Sequence, residues 1–408
     1  MRILLVCLGA LGDTQPFVSL AKTLSHRGHS VVVLGNGYYQ ALAEEQGVVF
    51  KSILDAQEYA DIMRRQNTIT LRERTSWGFR KLMESMPKVY DLLAELHEPG
   101  NTVVAAQPWV FGARVAQERL GLPLATVNLQ PILFGLLGQG NRRFPVLKRA
   151  LDRGSDLVSD LILARRINAY RARFGLAPTR QILRGWCLSP QLVIDFFPPW
   201  FAQPEGNWPD RLILPGFPLE HDDRQANKLT ADVEAFLRDG DPPLVFCQSS
   251  FWQEGSFFTE SIAVAQRLGR RAMLLSSDHR HIPESLPEEI GYFGFVPLAA
   301  LLPRSAALIH RGGIGMVALA LRAGVPQMTV PLKSGQADIC RRLARLGVSA
   351  HVHLKRYRAD IIAPKLDELI RSKAVKRQCS RFAEMCRSEV ALIKACEALE
   401  SLGAEHRT

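Results

Sequence analysis

The sequence predicts an α/β protein made of two doubly wound domains, each built on a parallel sheet. Three observations carry this reading. The length of 408 residues exceeds what one ordinary core supports. Apolar runs without polar interruption, such as "RILLVCL" and "PPLVFCQSS", suit parallel strands covered on both faces. Each run is followed by a segment of helical spacing, and the alternation begins twice along the chain.

The elements follow in order. "RILLVCL" is a strand and "GALGD" turns the chain. "TQPFVSLAKTLSHRGH" is a helix with Phe17, Leu20, Ala21 and Leu24 on one face, Pro16 in its first turn and Gly28 as its stop. "SVVVLG" is the next strand and "YYQALAEEQG" the next helix, which completes a βαβ unit with a right-handed crossover. Residues 55–99 read as helical. Strand "TVVAAQ", helix "FGARVAQERLG" and strand "PLATVNLQ" continue the pattern, and strand "LVIDFF" leads into the Pro- and Trp-rich "PPWFAQPEGNWPDRLILPGFPLEHDD", a crossing segment. The second series runs through strand "PPLVFCQSS", helix "FFTESIAVAQRLG", strands "RAMLLSS" and "IGYFGFV", helix "LAALLP", strand "AALIH", a glycine loop, a helix and strand "QMTVP". The domain boundary falls near 216–240.

Composition narrows the class. A hydrophobic share of 47% with 22% charged residues describes a soluble globular protein. The seven cysteines form no CxxC pair and no zinc-type cluster, which implies buried, reduced thiols in a cytoplasmic protein and no metal site. The opening apolar run is short, lacks a small-residue cleavage site and runs into Asp13, so it reads as a strand and not a signal peptide. No stretch reaches the ~20 apolar residues of a membrane span. The net charge of +11 suits an anionic partner or a solvated basic face. No nucleic-acid module is recognisable, so nucleic acid is not expected. A phosphorylated substrate, or an anionic membrane surface beneath the basic stretch 141–173, fits the charge.

"HRGGIGMVALALRAGVP" (310–326) sets three glycines and Arg311 between a strand and a helix. Free N–H groups and a helix dipole converge at such a turn and bind phosphate, and Arg311 beside it has a fork suited to a diphosphate. A tight turn with Arg311 in solvent explains the same spacing. Neither "GGIGM" nor "GALGD" has the G-x-G-x-x-G spacing, which demotes a nicotinamide-dependent dehydrogenase.

The stretch 295–350, with its "HRGGIGM…AGVPQ…Q" order, resembles the donor signature of family-one nucleotide-sugar glycosyltransferases, which read "HHGGxGT", a helix ending "AGVPQ", then an acidic residue and Gln. "GALGDTQPFVSLAKTLSHRGHSV", "FPPWFAQPEGNWPDRLILPGFPLEH" and "FFTESIAVAQRLGRRAMLL" are similar to the bacterial branch that includes rhamnosyltransferases and antibiotic or macrolide glycosyltransferases. The resemblance spans nearly the whole chain. It implies the GT-B fold, two Rossmann-like domains facing a cleft. The expected layout is an acceptor-binding domain over 1–215, a linker over 216–240, a nucleotide-sugar-binding domain over 241–385 and a terminal helix over 386–408 packing back toward the first domain.

The resemblance also implies roles. Asp13 is the base that deprotonates the acceptor. Gly312, Gly313 and Gly315 surround the donor diphosphate with His310 and Arg311, and Ser249 and Ser250 supply hydroxyls opposite. Phe295 and Val296 hold the nucleobase, and Gln336 holds the sugar. Gly12, Trp77, Phe79 and Gln130 fall on the acceptor side. Each role has a plainer rival: Asp13 is well placed as a helix cap, a role compatible with catalysis. Phe295 reads equally as core, and so does the Trp77, Phe79, Leu82, Met86 stripe. His26 and His29, at a helix end, are assigned no chemistry.

Three positions depart from the pattern. Arg311 replaces a second His and keeps positive charge. Met316 replaces a hydroxyl residue and cannot donate a hydrogen bond. Gly335 replaces the acidic sugar contact, with Asp338 three positions on. Met316 predicts a weakened donor site, and Gly335 a donor that is a deoxysugar or is held differently. The expected activity is inverting transfer from a nucleoside-diphosphate sugar to a hydroxyl of an apolar small-molecule or lipid acceptor, with no cofactor. The alternatives are a catalytically impaired GT-B partner or activator of another transferase, prompted by Met316 and Gly335, and a GT-B sugar-nucleotide epimerase.

Overall fold

The computed structural model describes residues 1–65, 71–131, 160–203, 209–219, 228–248, 255–276, 279–332, 334–388 and 390–406. The chain divides into two compact units, Met1–Pro218 with Val390–Thr408, and Leu219–Glu389.

The first unit contains β1 (Arg2–Val6), α1 (Leu11–His26), β2 (Ser30–Asn36), α2 (Gln40–Glu44), β3 (Val49–Leu54), α3 (Ala56–Arg65), α4 (Leu71–Leu96), β4 (Thr102–Ala106), α5 (Phe111–Leu120) and β5 (Leu124–Asn128). Helix α6 (160–172) and strands β6 (Leu192–Asp195) and β7 (Leu212–Ile213) follow. Among the described residues its seven strands are all parallel, in the order β3-β2-β1-β4-β5-β6-β7. Alternate residues of β1 face opposite cores, as the pleat requires. Leu4 and Val6 pack with Val89 and Leu93 of α4, while Ile3 and Leu5 pack with Phe17, Leu20 and Leu24 of α1.

The second unit contains α7 (Ala231–Arg238), β8 (Leu244–Cys247), α8 (Gly255–Leu268), β9 (Ala272–Leu275), β10 (Ile290–Phe293), α9 (Leu298–Leu301), β11 (Ala307–His310), α10 (Ile314–Ala323), β12 (Gln327–Thr329), α11 (Ser334–Arg345), β13 (Ser349–His351), α12 (Ala359–Arg371) and α13 (Lys373–Arg387). Its six parallel strands run β10-β9-β8-β11-β12-β13. Phe246 and Ile309 face α8 and α12, and Val245 and Leu308 face α7 and α10.

The last helix, α14 (Ala391–Glu405), belongs to the first unit, where Leu392, Ala395, Cys396 and Leu399 join the α1 face of the core. Arg27 and His29 at the end of α1 grip its Glu400 at 2.7 and 2.8 Å. The units separate at Pro218/Leu219, and the stretch 216–240 carries α7, whose Val233 and Leu237 are core residues, so much of that stretch is folded domain and not linker.

Both sheets reverse their strand order once, between β1 and β4 and between β8 and β11. Ligands of open α/β sheets collect outside the carboxyl ends of the strands at such a switch point.

Candidate functional site

In the first unit, β1 ends in a short loop and α1 starts at once. The Asp13 carboxylate curls back and accepts a hydrogen bond from the Ala10 N–H at 3.0 Å, while the Asp13 N–H donates to the Ala10 carbonyl at 2.9 Å. This satisfies one of the donors a helix start leaves open. A Cβ on Gly9 would stand 2.3 Å from Asp13 Oδ2, so glycine at position 9 is what lets the carboxylate fold over the loop. Asp13 is therefore not the N-cap, a place Ala10 takes because α1 begins at Leu11; it is the third helical residue, and its half-buried carboxylate closes back on the N-cap N–H. Gly12, beside it, is exposed.

Three tyrosines wall this loop. Tyr59 donates to the Gly9 carbonyl at 2.8 Å, and the rings of Tyr38, Tyr39 and Tyr59 pack within 5.2–5.6 Å of one another. Burial first, and then the Asp13 charge among smaller effects, raises the Tyr39 and Tyr59 hydroxyls above the ordinary tyrosine range. Tyr38 is 55% exposed. Two buried amides flank the loop from the neighbouring strands. Asn36 donates to the Gly9 carbonyl at 2.7 Å, and Gln107 Oε1 accepts from the Leu8 N–H at 2.7 Å. Farther along the same edge, Asn128 donates to Asp195 at 2.6 Å, and burial pushes the Asp195 carboxyl up to about 8. The sequence reading missed these residues. Their signal was a polar residue ending, or directly following, an otherwise apolar strand.

Gln130 is half-buried beyond the end of β5. Phe79 and Leu82, half-buried, lean against the core, and Met86 is buried in it. The Trp77 side chain and Ser249 and Ser250 lie outside the described residues.

In the second unit, the glycine loop is built around His310. Its Nδ1 accepts from the Gly312 N–H at 3.2 Å, so Nε2 carries the proton and donates to Gln327 Oε1 at 3.0 Å. Complete burial lowers His310 to about 4, which leaves the ring neutral. It positions the loop and does not supply charge to a ligand. Gly312 adopts φ +80°, and a Cβ there would meet Cys340 Sγ at 3.0 Å. Glycine is required on both counts.

Arg311 departs from expectation. It is fully buried, with its guanidinium 5.1 Å from the centroid of Phe257, which stacks on Tyr357. Alternation explains this: Ile309 faces α8, and Arg311, two residues on, continues the same face. Arg311 is therefore not an exposed phosphate fork.

The open part of the loop is the start of α10. Gly313 occupies its N-cap with no side-chain hydrogen bond, and Gly315 is exposed, where an added Cβ would meet nothing within 4 Å. The first N–H groups of the helix thus face outward with the positive end of its dipole. Met316 leans into the cluster of Leu301, Leu308 and Ala320, so its side chain packs where a hydroxyl residue was expected. Gln336 borders Gly312, and its Oε1 accepts from the Leu332 N–H at 2.9 Å. Gly335 is buried, and Asp338 is held by Arg342 at 2.7 Å and Arg341 at 3.3 Å on its own helix, so it does not replace the missing acid. Phe295, beyond β10, is 81% exposed, while Val296 is buried beside it. Core packing is thereby excluded for Phe295. Among the described residues, no three His, Cys, Asp or Glu side chains gather as a metal site.

Two parallel-sheet α/β units in one chain, each with its residues of interest at a carboxyl-edge switch point, define the GT-B class of glycosyltransferases. The Glycosyltransferase family 28 N-terminal domain matches residues 3–131, and the Erythromycin biosynthesis protein CIII-like C-terminal domain matches residues 270–401. O-mycaminosyltylonolide 6-deoxyallosyltransferase of Streptomyces fradiae is 27% identical over 430 residues, covering 100% of this chain and 99% of the relative. 4'-Demethylrebeccamycin synthase of Lentzea aerocolonigenes is 21% identical, covering 98% and 99%. A spinosyn forosaminyltransferase superposes with TM-score 0.73 at 18% identity over 99% of both chains. A spinosyn rhamnosyltransferase complexed with thymidine diphosphate superposes with TM-score 0.70 at 17% identity, over 98% of this chain and 100% of that one. The chain is a nucleotide-sugar glycosyltransferase of GT-B fold, similar to the family-one enzymes of the antibiotic type.

Proposed function

We propose that the protein transfers a sugar, with inversion, from a nucleoside-diphosphate donor to a hydroxyl of a largely apolar natural-product acceptor. The observation that carries this is the uncapped start of α10 on the same sheet edge as the exposed ring of Phe295. Strands β10 and β11 lie three spacings apart, about 14 Å, the scale of a nucleoside diphosphate laid along the edge. The base stacks on Phe295, the diphosphate meets the N–H groups of Gly313–Gly315, and Gln336 faces the sugar. With Arg311 buried, backbone dipoles carry the stabilisation of the leaving group.

Asp13 is the base in this reading. The Ala10 N–H bond orients its carboxylate, the group that takes the acceptor hydroxyl's proton in this reading. The absence of an acid at 335 supports a donor sugar with fewer hydroxyls to hold. The relatives named above act on deoxysugars in two cases by their own names, a 6-deoxyallosyl and a rhamnosyl group.

Calorimetric titration with thymidine and uridine diphosphates, followed by mass spectrometry of transfer from a donor panel, tests the assignment. Nucleotide binding that survives Asp13→Asn and weakens about tenfold in Phe295→Ala is expected; binding indifferent to Phe295 rejects the donor site. The anomeric configuration of the product decides inversion. A clear preference for a glucose donor over deoxysugar donors removes the deoxysugar assignment.

Membrane contact belongs to the same proposal. Most of 141–173 lies outside the described residues, but Leu161 (74% exposed) and Ile162 (55%) stand beside exposed Arg165 and Arg166 on α6. Flotation with phosphatidylglycerol vesicles at low salt, lost in Leu161→Ser with Ile162→Ser, is the expected result.

A further inference from the structure

The crevice between β1 and β4 holds a polar atom that the fold itself does not use. Gln107 follows the last residue of β4, is 2% exposed, and its Oε1 accepts from two donors, the Leu8 N–H at 2.7 Å and Trp109 Nε1–H at 3.2 Å. Those donors forbid a flipped amide, because flipping would set N–H against N–H. The Nε2 group is thereby fixed in place, and it has no hydrogen-bond partner among the described residues. On the other flank of the loop, Asn36 Nδ2 holds the Gly9 carbonyl while Asn36 Oδ1 is likewise without a partner. Buried polar atoms are nearly always paired, because an unmade hydrogen bond in the interior is costly. An orphan donor and an orphan acceptor on either side of the Asp13 loop, at the switch point of the sheet, match an incoming group with oxygen of both characters.

We propose that Gln107 is a specificity-determining residue for the acceptor: its Nε2–H donates to a second oxygen of the acceptor, near the hydroxyl that Asp13 engages. This rests on the transferase reading above and sharpens it. The acceptor is not uniformly apolar; it carries a hydroxyl or carbonyl oxygen near the glycosylated hydroxyl, and aglycones lacking it bind poorly. An ordered water on Nε2 is the other source of the same oxygen chemistry, and the experiment separates the two.

Fluorescence titration of the whole protein with naphthol and with dihydroxynaphthalenes of different hydroxyl spacing is the direct test. The parent protein is expected to bind one dihydroxy compound about tenfold tighter than naphthol. Gln107→Met abolishes that preference while leaving thymidine diphosphate binding unchanged. Gln107→Glu keeps an oxygen facing Leu8 and Trp109, so it preserves the fold, but it presents a carboxylate in place of the donor. Its preference is lost at neutral pH and returns as the pH falls and the acid regains an O–H. A parent protein with no preference or no binding, or variants that lower the melting temperature and leave the preference intact, overturn the proposal and leave Gln107 as a residue that holds water. If the preference and its dependence on Gln107 stand but no nucleotide sugar is turned over, the transfer reading fails and this one survives.

Discussion

At the scale of single residues, the loop 310–315 shows how little of a side chain's role its own position states. His310 and Arg311 are adjacent and both fully buried, yet they serve opposite faces of the sheet. His310 is neutral because burial disfavours its cation, and this makes a signed prediction. Its pKa is about 4 in the folded chain and near 6.5 unfolded. The unfolded state therefore binds more protons between those values, and the contribution to stability is complete above about pH 6.5 and lost as pH falls toward 4. Chemical denaturation of His310→Gln against the parent across that window is expected to show a shallower acid decline in the variant. Gly312→Ala forces a side chain into φ +80° and against Cys340, at a cost of about 1–2 kcal/mol for the left-handed backbone alone. A lowered denaturation midpoint with weakened nucleotide binding is the expected pair of readings. Phe295 was ambiguous as a letter and is decided by its exposure. The role of Arg311 was readable in principle from the alternation Ala307, Ile309, Arg311, had the strand period been carried one step past the strand.

At the scale of elements, most strands and helices were legible because unbroken apolar runs and 3.6-residue spacing are local properties. The strands β3, β7 and β13 were not. The sequence "VFKSIL" mixes Lys51 and Ser52 into a strand, and β7 and β13 have two and three residues. Only pairing with β2, β6 and β12 makes them strands. Helix α7 lies within 216–240, the stretch read from the sequence as a linker. Helix α14 is tied to α1 through Glu400, which Arg27 chiefly, with His29, holds down to about 2. Because the folded value lies below the ordinary carboxylate range, this stabilisation is present above about pH 4.5 and disappears as pH falls toward 2. The pair is partly exposed, so its size is modest. Thermal scans should show Glu400→Gln less stable than the parent at neutral pH, with the gap closing in acid.

At the scale of the whole molecule, the chain leaves the first unit at Pro218, builds the second and returns through α14. That return places Leu392, Ala395, Cys396, Leu399 and Leu402 in the first unit's core, and burying a large apolar side chain is worth about 1.5–3 kcal/mol. Truncation after residue 389 is expected to unfold the first unit while the second still binds thymidine diphosphate; calorimetry showing two intact transitions in the truncated chain would refute this division of the core. The sequence by itself determined the fold class, the two-part plan and the place of the glycine loop, since each depends on short-range periodicity or on backbone conformation. The tertiary structure alone decided that Arg311 lies inside, that Phe295 lies outside, that Asp338 is occupied by arginines, and that Tyr59, Asn36 and Gln107 converge on the Leu8–Gly9 backbone just before Asp13. The physical reason is that burial and pairing are set by strands distant in sequence, whereas periodicity is written in neighbours.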